Sequence, residues 1–108
     1  MAKDDFHVIA YRILSYLYTC LKEGRKPTGD DISYEKFKIP ETYLNTVIGN
    51  LYKKGYIDGI IPYDAAGGVT LYILDRPEIT MDGVAFLQEN SMMQKAKNFL
   101  KELKDFIP

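Results

Sequence analysis

The sequence contains little of what metal proteins, secreted proteins and membrane proteins depend on. A single cysteine, Cys20, excludes an internal disulfide, and with a single histidine, His7, no Cys/His set can hold a metal ion. Tryptophan is absent, and no apolar run approaches the roughly 18 residues of a membrane span. No secretory leader is visible, because Lys3 is followed by two aspartates rather than by an apolar stretch. We therefore expect a cytoplasmic protein.

An excess of charge is also missing. The 14 Lys and Arg residues nearly balance the 15 Asp and Glu residues, giving a formal net charge of −1 and a pI of about 5.8. No global positive field therefore attracts nucleic acid. Residues 1–56 carry nine basic and seven acidic side chains, whereas residues 57–108 carry five and eight. This slight difference has the direction expected for a DNA-binding N-terminal half.

No catalytic constellation is recognisable. His7 has no nucleophile placed beside it by any motif, and Cys20 lies on an apolar helical stripe. Helix capping explains Asp30 and Asp31 with fewer assumptions than a metal pair does. The glycines at 67 and 68 precede a strand rather than a helix, so they do not form a phosphate-binding loop. The sequence predicts neither an enzyme nor a cofactor site.

The clearest structural pattern in the sequence lies in residues 40–57. The apolar residues of this segment recur with the 3.6-residue period of an α-helix and are expected to face the core: Leu44, Val47, Ile48 and Leu51. Pro40 suits the first turn, and Gly55, after two lysines, suits the left-handed C-terminal cap. A helix that ends in K-K-G-Y-I and leads directly into a β-hairpin is typical of the recognition helix of a winged helix-turn-helix.

The other elements follow in the order of that fold. The sequence predicts helix 1 from Asp4 or Asp5 to Gly24, and a short helix 2 over residues 30–37 that Thr28 and Asp31 cap. Strands are predicted over residues 59–63 and 69–74, a break at residues 76–78, and helices over residues 81–89 and 91–106. We therefore predict an α+β fold. A winged helix-turn-helix, three helices plus a β-hairpin wing, occupies residues 1–76, and two C-terminal helices over residues 77–108 pack on the same domain.

Two stretches also resemble a known family. K-K-G-Y-I-D-G-I-I and, after the hairpin, I-T-M-D-G-V-A-F-L-Q-E-N-S-M-M-Q-K-A are similar to the YjcQ-like family of small winged-helix proteins from bacteria and their phages. The similarity extends from about helix 1 to Ala96. Its most particular part is the second stretch, with Gly83 and the E-N-S triplet, whereas many winged-helix regulators share K-K-G-Y-I. The resemblance implies a winged-helix fold and DNA binding.

The solvent side of helix 3 is the candidate site. Asn pairs with adenine and Thr contacts the thymine methyl group, and the N-terminal part of a recognition helix meets the base edges. We predict base contacts from Thr42, Asn45, Thr46 and Asn50. We predict contacts to the DNA backbone from Arg25, Lys26, Lys36, Lys38, Lys53 and Lys54. The favoured function is a transcriptional regulator that binds double-stranded DNA.

Two features keep a different function open. Glu41 near the start of helix 3 repels phosphate, and the wing loop, residues 64–68, has one acid and no base where DNA-gripping wings usually carry Arg or Lys. The alternative is a protein–protein interaction module that keeps the fold without binding DNA.

The C-terminal helices leave further alternatives. The last helix has a broad apolar face, which can pair with its copy in a homodimer or fold back on helix 1. Five of the nine tyrosines, at positions 11, 16, 18, 52 and 56, could line a ligand pocket beside helix 1 or stack on bases, although such residues more often form the rim of a small core.

Overall fold

The computed structural model describes residues 4–90, in which three helices lead into a β-hairpin and a further helix follows. The helices are α1 (Phe6–Glu23), α2 (Tyr34–Phe37), α3 (Glu41–Lys53) and α4 (residues 81–90), and the strands are β1 (Ile57–Asp64) and β2 (Thr70–Ile79). Short 3-10 turns occupy Gly29–Asp31 and Ala66–Gly68. The fold is α+β, as the sequence predicts.

One hydrophobic core joins these elements. Its largest fully buried side chains come from α1, α3 and β1: Ile9, Ile13, Leu14, Leu17, Cys20, Val47 and Ile57. The four apolar residues of α3 that are predicted to face inward are all buried. The tyrosines at positions 11, 16, 18, 52 and 56 are half-buried at the margin of the core, which confirms their prediction as rim residues.

The region between α1 and α3 differs from the prediction of one continuous helix. A 3-10 turn and a separate four-residue helix are found instead. The hydroxyl of Ser33 caps α2 by accepting the backbone N–H of Lys36 at 3.2 Å. The predicted capping by Thr28 and Asp31 is wrong, because the Asp31 carboxylate accepts hydrogen bonds from the Tyr16 hydroxyl at 2.6 Å and from the Lys36 ammonium at 2.7 Å.

The hairpin is longer than predicted. β1 and β2 pair antiparallel from the tip to Ile79, so the predicted break at residues 76–78 is wrong. The pairing crosses a β-bulge in which residues 75–77 of β2 face the single residue Gly59 of β1, whose φ of +76° is a conformation that glycine adopts without strain. A Cβ at Gly59 would overlap the carbonyl of Arg76, which has a positive φ of 59° itself. The bulge and Pro77 together interrupt the strand pattern in the sequence without ending the strand.

Thr80 caps α4 as predicted. Its hydroxyl accepts the N–H of Gly83 at 3.0 Å and donates to the carbonyl of Gly55 at 2.5 Å, so the same cap ties α4 to the end of α3. Asn90, which is predicted to end this helix, is still helical. The predicted last helix, residues 91–106, lies outside the described residues.

Two further predictions bear on the layout of the chain. The domain boundary predicted at residues 76 and 77 falls inside β2, which continues to Ile79. Between residues 4 and 90, no helix is both long enough and apolar enough to cross a membrane.

Candidate nucleic-acid interface

α3 is held at both ends by local backbone geometry. Pro40 occupies the N-cap position as the last of the three residues between α2 and α3, of which the first, Lys38, has a φ of +57°. At the other end Gly55 donates to the carbonyl of Tyr52 at 2.9 Å and Tyr56 donates to the carbonyl of Leu51 at 3.0 Å. These two bonds form a Schellman motif around a glycine at φ +76°, as K-K-G-Y predicts. The helix and the start of β1 are therefore fixed relative to each other.

One side of α3 is open to solvent. Thr42, Thr46 and Asn50 are exposed and follow each other at intervals of four, so they form a single stripe that Lys53 continues. Thr46 donates to the carbonyl of Thr42 at 3.0 Å, and Asn50 donates to that of Thr46 at 2.8 Å. Their oxygens remain free to accept hydrogen bonds. This stripe brings together three of the four predicted base contacts and one predicted backbone contact.

The fourth predicted base contact, Asn45, has another role in the structure. Its half-buried amide donates from Nδ2 to the carbonyl of Thr70 at 2.9 Å and accepts the N–H of Tyr72 at Oδ1 at 2.8 Å. Bidentate recognition of adenine uses the same two atoms, so it would require that both bonds break. In this conformation Asn45 joins α3 to the hairpin.

The hairpin lies along the same side of α3. The ring of Tyr72 packs over Gly49, where a Cβ would overlap it, and the Lys53 ammonium lies 5.7 Å from the centroid of that ring. An open pocket of about 300 Å³ separates the stripe from β2, with Thr46, Asn50 and Lys53 on one side and Val69, Thr70 and Tyr72 on the other.

Gly49 and Tyr72 are not among the residues that the sequence predicts for this contact. A glycine in the middle of an amphipathic helix was the available signal, because it costs about 1 kcal/mol relative to alanine and so often marks a close approach. In this helix the approaching group is the Tyr72 ring.

All six side chains predicted to contact the DNA backbone are exposed: Arg25, Lys26, Lys36, Lys38, Lys53 and Lys54. Two of the six are ion-paired, Lys36 to Asp31 at 2.7 Å and Arg25 to Glu23 at 3.2 Å. Exposed ion pairs contribute little to stability, so both cations can exchange a carboxylate for a phosphate. Lys53 is the one among the six that shares a pocket with the stripe.

A hydrogen-bonded cluster fixes the loop between α1 and α2. The Lys36 ammonium and the Tyr16 hydroxyl both donate to Asp31, and these bonds lower the pKa of Asp31 from 3.8 to about 2. Burial, followed by the bond to Asp31, raises the pKa of the Tyr16 hydroxyl. The same hydroxyl accepts the N–H of Thr28 at 3.2 Å. The cluster therefore holds the loop that carries two of the predicted basic contacts.

The hairpin tip, residues 64–68, carries one acid and no cation. Asp64, the acid of the loop, accepts a hydrogen bond from the Thr70 hydroxyl at 3.0 Å. Arg76, far from the tip, is the one basic residue among residues 57–79. Across the described part of the chain, no three His, Cys, Asp or Glu side chains come together in a group that could hold a metal ion. The interface therefore offers hydrogen bonds and the cations of α3.

Comparisons with known proteins agree with the resemblance seen in the sequence. The sequence model of the family described as YjcQ protein matches residues 11–106. The chain is 32% identical over 107 residues to the uncharacterized protein YjcQ of Bacillus subtilis (strain 168), and the alignment covers 99% of both chains. No solved structure gives a significant match.

Proposed function

The chain belongs to the YjcQ family, and we propose that it is a winged helix-turn-helix protein that binds double-stranded DNA and regulates transcription. In this proposal α2 and α3 form the helix-turn-helix, the hairpin is the wing, and α3 enters the major groove. The observation that carries the proposal is the exposed stripe of Thr42, Thr46, Asn50 and Lys53 on the second helix of a helix–turn–helix pair.

The chemistry of the stripe suits base edges. Thr42 and Thr46 each present a methyl group and a hydroxyl oxygen, which fit a thymine methyl group or an amino group of a neighbouring base. Asn50 presents an amide whose oxygen is free and whose nitrogen keeps a second hydrogen. Lys53 and Lys54, at the C-terminal end of the helix, are placed to meet phosphates.

Asn45 supports the same interface indirectly. Because its amide bonds to the free edge of β2, it sets the distance between α3 and the hairpin tip. We assign it to positioning the wing, while Thr42, Thr46 and Asn50 contact the bases.

Fluorescence anisotropy with random-sequence duplex DNA at several salt concentrations tests the proposal. Non-specific binding is expected with a Kd of roughly 10⁻⁴ to 10⁻⁶ M at physiological salt, and the affinity should fall steeply as salt rises. Lys53→Gln removes one phosphate contact, so the slope of log K against log salt should decrease by about 0.9.

Lys22→Gln is a matched control for this experiment. Lys22 is exposed on α1, and its ammonium lies 4.5 Å from the centroid of the Tyr18 ring, just as Lys53 lies over Tyr72. Both variants remove one charge and one cation–π contact, but only Lys53→Gln should change the salt slope. Equal slopes for the two variants, or no binding by the unaltered protein at low salt, would remove the support for α3 as a DNA-binding helix.

Glu41 and the acidic hairpin favour a second candidate, a protein–protein interaction module. Glu41 is exposed in the first turn of α3, where it opposes the approach of phosphate. If the unaltered protein does not bind DNA, the same stripe becomes the surface to test, with Thr46→Lys as the disrupting variant in a partner pull-down.

A further inference from the structure

A groove between the helix–turn–helix and the hairpin is lined mainly by apolar side chains. Leu44 and Ile48 of α3 line it and are buried. Four large apolar side chains on its two walls remain 39–50% exposed: Tyr34, Val69, Leu71 and Ile73. Single exposed apolar residues are ordinary, but a contiguous group contributed by two elements usually marks an interaction site. We call this groove the α2–β2 groove.

The α2–β2 groove has the size of a small-molecule site. Its volume is about 760 Å³, and pockets that bind drug-sized ligands measure roughly 300–1,000 Å³. Residues that lie opposite each other on paired strands share one face of the sheet, and Ile61 and Tyr63 of β1 lie opposite Ile73 and Leu71. Both β1 side chains are exposed. The apolar surface therefore continues from the groove across the hairpin.

The walls of the groove are held in place before any ligand binds. The Asn45 amide bonds to the backbone of Thr70 and Tyr72 and so holds β2 against α3. Ser33, which also lines the groove, caps α2. A site that is already formed loses less conformational entropy on binding. The same Asn45 amide occupies the edge of β2 at this level, so a partner strand cannot add to the sheet there.

The charge of the groove indicates the kind of ligand. Its one charged lining residue is Glu41, and no basic residue of the described chain lines it. Within residues 4–90, Glu41 also takes part in no ion pair. The other polar lining groups are hydroxyls and the Asn45 amide, which is already bonded. A complementary ligand therefore has an apolar body and a positive charge.

We propose that the α2–β2 groove binds a small amphiphilic amine. The apolar body of the ligand packs between Tyr34 on one wall and Leu71 and Ile73 on the other, and its cationic group meets the Glu41 carboxylate. Glu41 disfavours an anionic amphiphile, and a neutral apolar molecule gains nothing from this carboxylate.

A second copy of the chain is the competing occupant, and the shape of the groove is against it. A two-fold contact places the same patch of both copies face to face, and two concave grooves leave a void between them. A head-to-tail contact needs a protruding apolar patch elsewhere on the chain. The other large apolar side chains that the described residues expose, Leu21 and Met81, come from separate helices. A small molecule fits the groove better.

Ligand binding would regulate the proposed DNA-binding face, and this consequence rests on the proposed function. Thr42 and Thr46 belong both to the stripe and to the lining of the groove. A bound cation neutralises one exposed carboxylate, whereas the body of the ligand occupies the space beside two predicted base contacts. We therefore expect ligand and DNA to exclude each other. Because such coupling is reciprocal, each weakens the binding of the other by the same factor.

Three eight-carbon probes test the groove without DNA. Octylammonium, octanol and octanoate share one chain and differ in the charge of the head group. Each is titrated into the full chain while ¹H–¹⁵N correlation spectra are recorded. We expect saturable shifts of the amides of Thr42, Leu71 and Ile73, with octylammonium binding most tightly and octanoate most weakly.

Two pairs of variants locate the charged and the apolar contacts. Glu41→Gln should weaken octylammonium binding about three- to fivefold, as expected for an exposed ion pair, and leave octanol binding unchanged. Glu35→Gln is its control, because Glu35 is exposed in the first turn of α2 but does not line the groove. Leu71→Thr, which suits a strand, should weaken both probes. Leu21→Thr, on α1, should weaken neither.

Every outcome of these titrations bears on the proposal. Shifts that do not saturate, or that lie away from the groove, would overturn it, and so would octanoate binding as tight as that of octylammonium. Equal effects of Glu41→Gln and Glu35→Gln would contradict the charged contact. A dimer in sedimentation that Leu71→Thr dissociates would assign the groove to a second copy instead. The amide spectrum of Leu71→Thr shows directly whether this variant keeps the fold.

The DNA consequence has its own readout. Octylammonium should lower the affinity for labelled duplex DNA more than ammonium chloride at the same concentration does, and Leu71→Thr should abolish this difference. An unchanged DNA affinity at saturating octylammonium would overturn the exclusion. If octylammonium binds but the unaltered protein does not bind DNA, the proposed function fails and the ligand site stands. If DNA is bound but octylammonium is not, the ligand site fails alone.

Discussion

The side chain of Asn45 and the backbone of Tyr72 are joined as if Asn45 belonged to a third strand. Oδ1 of Asn45 accepts the Tyr72 N–H at 2.8 Å, while Nδ2 donates to the carbonyl of Thr70 at 2.9 Å. Residues two apart on a strand present their polar groups to the same edge, so one amide serves both. The Asn45 amide therefore holds the edge of β2 against α3, beside the packing of the Tyr72 ring over Gly49.

Asn45→Asp should destabilise the protein by about 1–3 kcal/mol. The carboxylate keeps an acceptor for the Tyr72 N–H, but it has no donor for the Thr70 carbonyl and places negative charge against that oxygen. Urea denaturation followed by circular dichroism measures the loss.

Asn50→Asp is the matched control on the same helix. Asn50 is exposed, and the hydrogen bond that it loses runs to the carbonyl of Thr46 within α3, so its cost should stay within about 0.5 kcal/mol. Similar losses at positions 45 and 50 would show that the hairpin does not depend on the Asn45 amide.

The parts of the fold that local sequence decides could be predicted. α3 begins at Glu41, directly after Pro40, and ends at Lys53, shortly before Gly55, because proline and glycine act locally at helix termini. The inward face of α3 follows from spacing alone, and Thr80 caps α4 by contacts within one turn.

The parts that distant residues decide could not be predicted. The Asp31 carboxylate has a local use as a helix cap, yet Tyr16, 15 positions away, takes it instead. Asn45 reads in the sequence as a free polar residue of a recognition helix, and only the partner 27 positions away shows its structural use. Sequence therefore predicts which face of a helix is exposed, but it does not show which polar residues on that face are already bound to another part of the chain.

Gly59→Ala should destabilise the protein by about 3 kcal/mol or more, because it combines a strained backbone with an overlap. Gly59 has a φ of +76°, and a Cβ there would overlap the carbonyl of Arg76 across the bulge. All of the atoms that this Cβ would meet belong to the backbone of Asp75 and Arg76, so no flexible side chain can move aside. Thermal unfolding measures the effect.

Gly67→Ala separates the two causes. Gly67 has a φ of +84° in the hairpin loop, but a Cβ there would meet nothing within 4 Å. Only the backbone strain remains, so the expected cost is about 1 kcal/mol. If Gly59→Ala costs no more than Gly67→Ala, the bulge is loose enough to move away from the Arg76 carbonyl.

The Asp31 cluster predicts a stability change in acid. The bonds from Lys36 and Tyr16 lower the pKa of Asp31 to about 2, below its ordinary value of 3.8. A carboxyl whose pKa is lower in the folded state contributes stability above its unfolded pKa and loses it as the pH falls through the folded value. The contribution should therefore be complete above about pH 4 and largely lost near about pH 2.

Comparison of Asp31→Asn with Asp30→Asn isolates this contribution. Asp30→Asn removes the same charge one residue away without touching Tyr16 or Lys36. Melting temperatures should differ most between the two variants at about pH 5 and should approach each other as the pH falls towards about 2, because a growing fraction of Asp31 in Asp30→Asn is then protonated. A constant difference over that range would mean that the loop does not depend on the ionised form of Asp31. The hydroxyl of Tyr16 can donate to a neutral acid as well, so the Lys36 ammonium is the partner that the loss of charge would release.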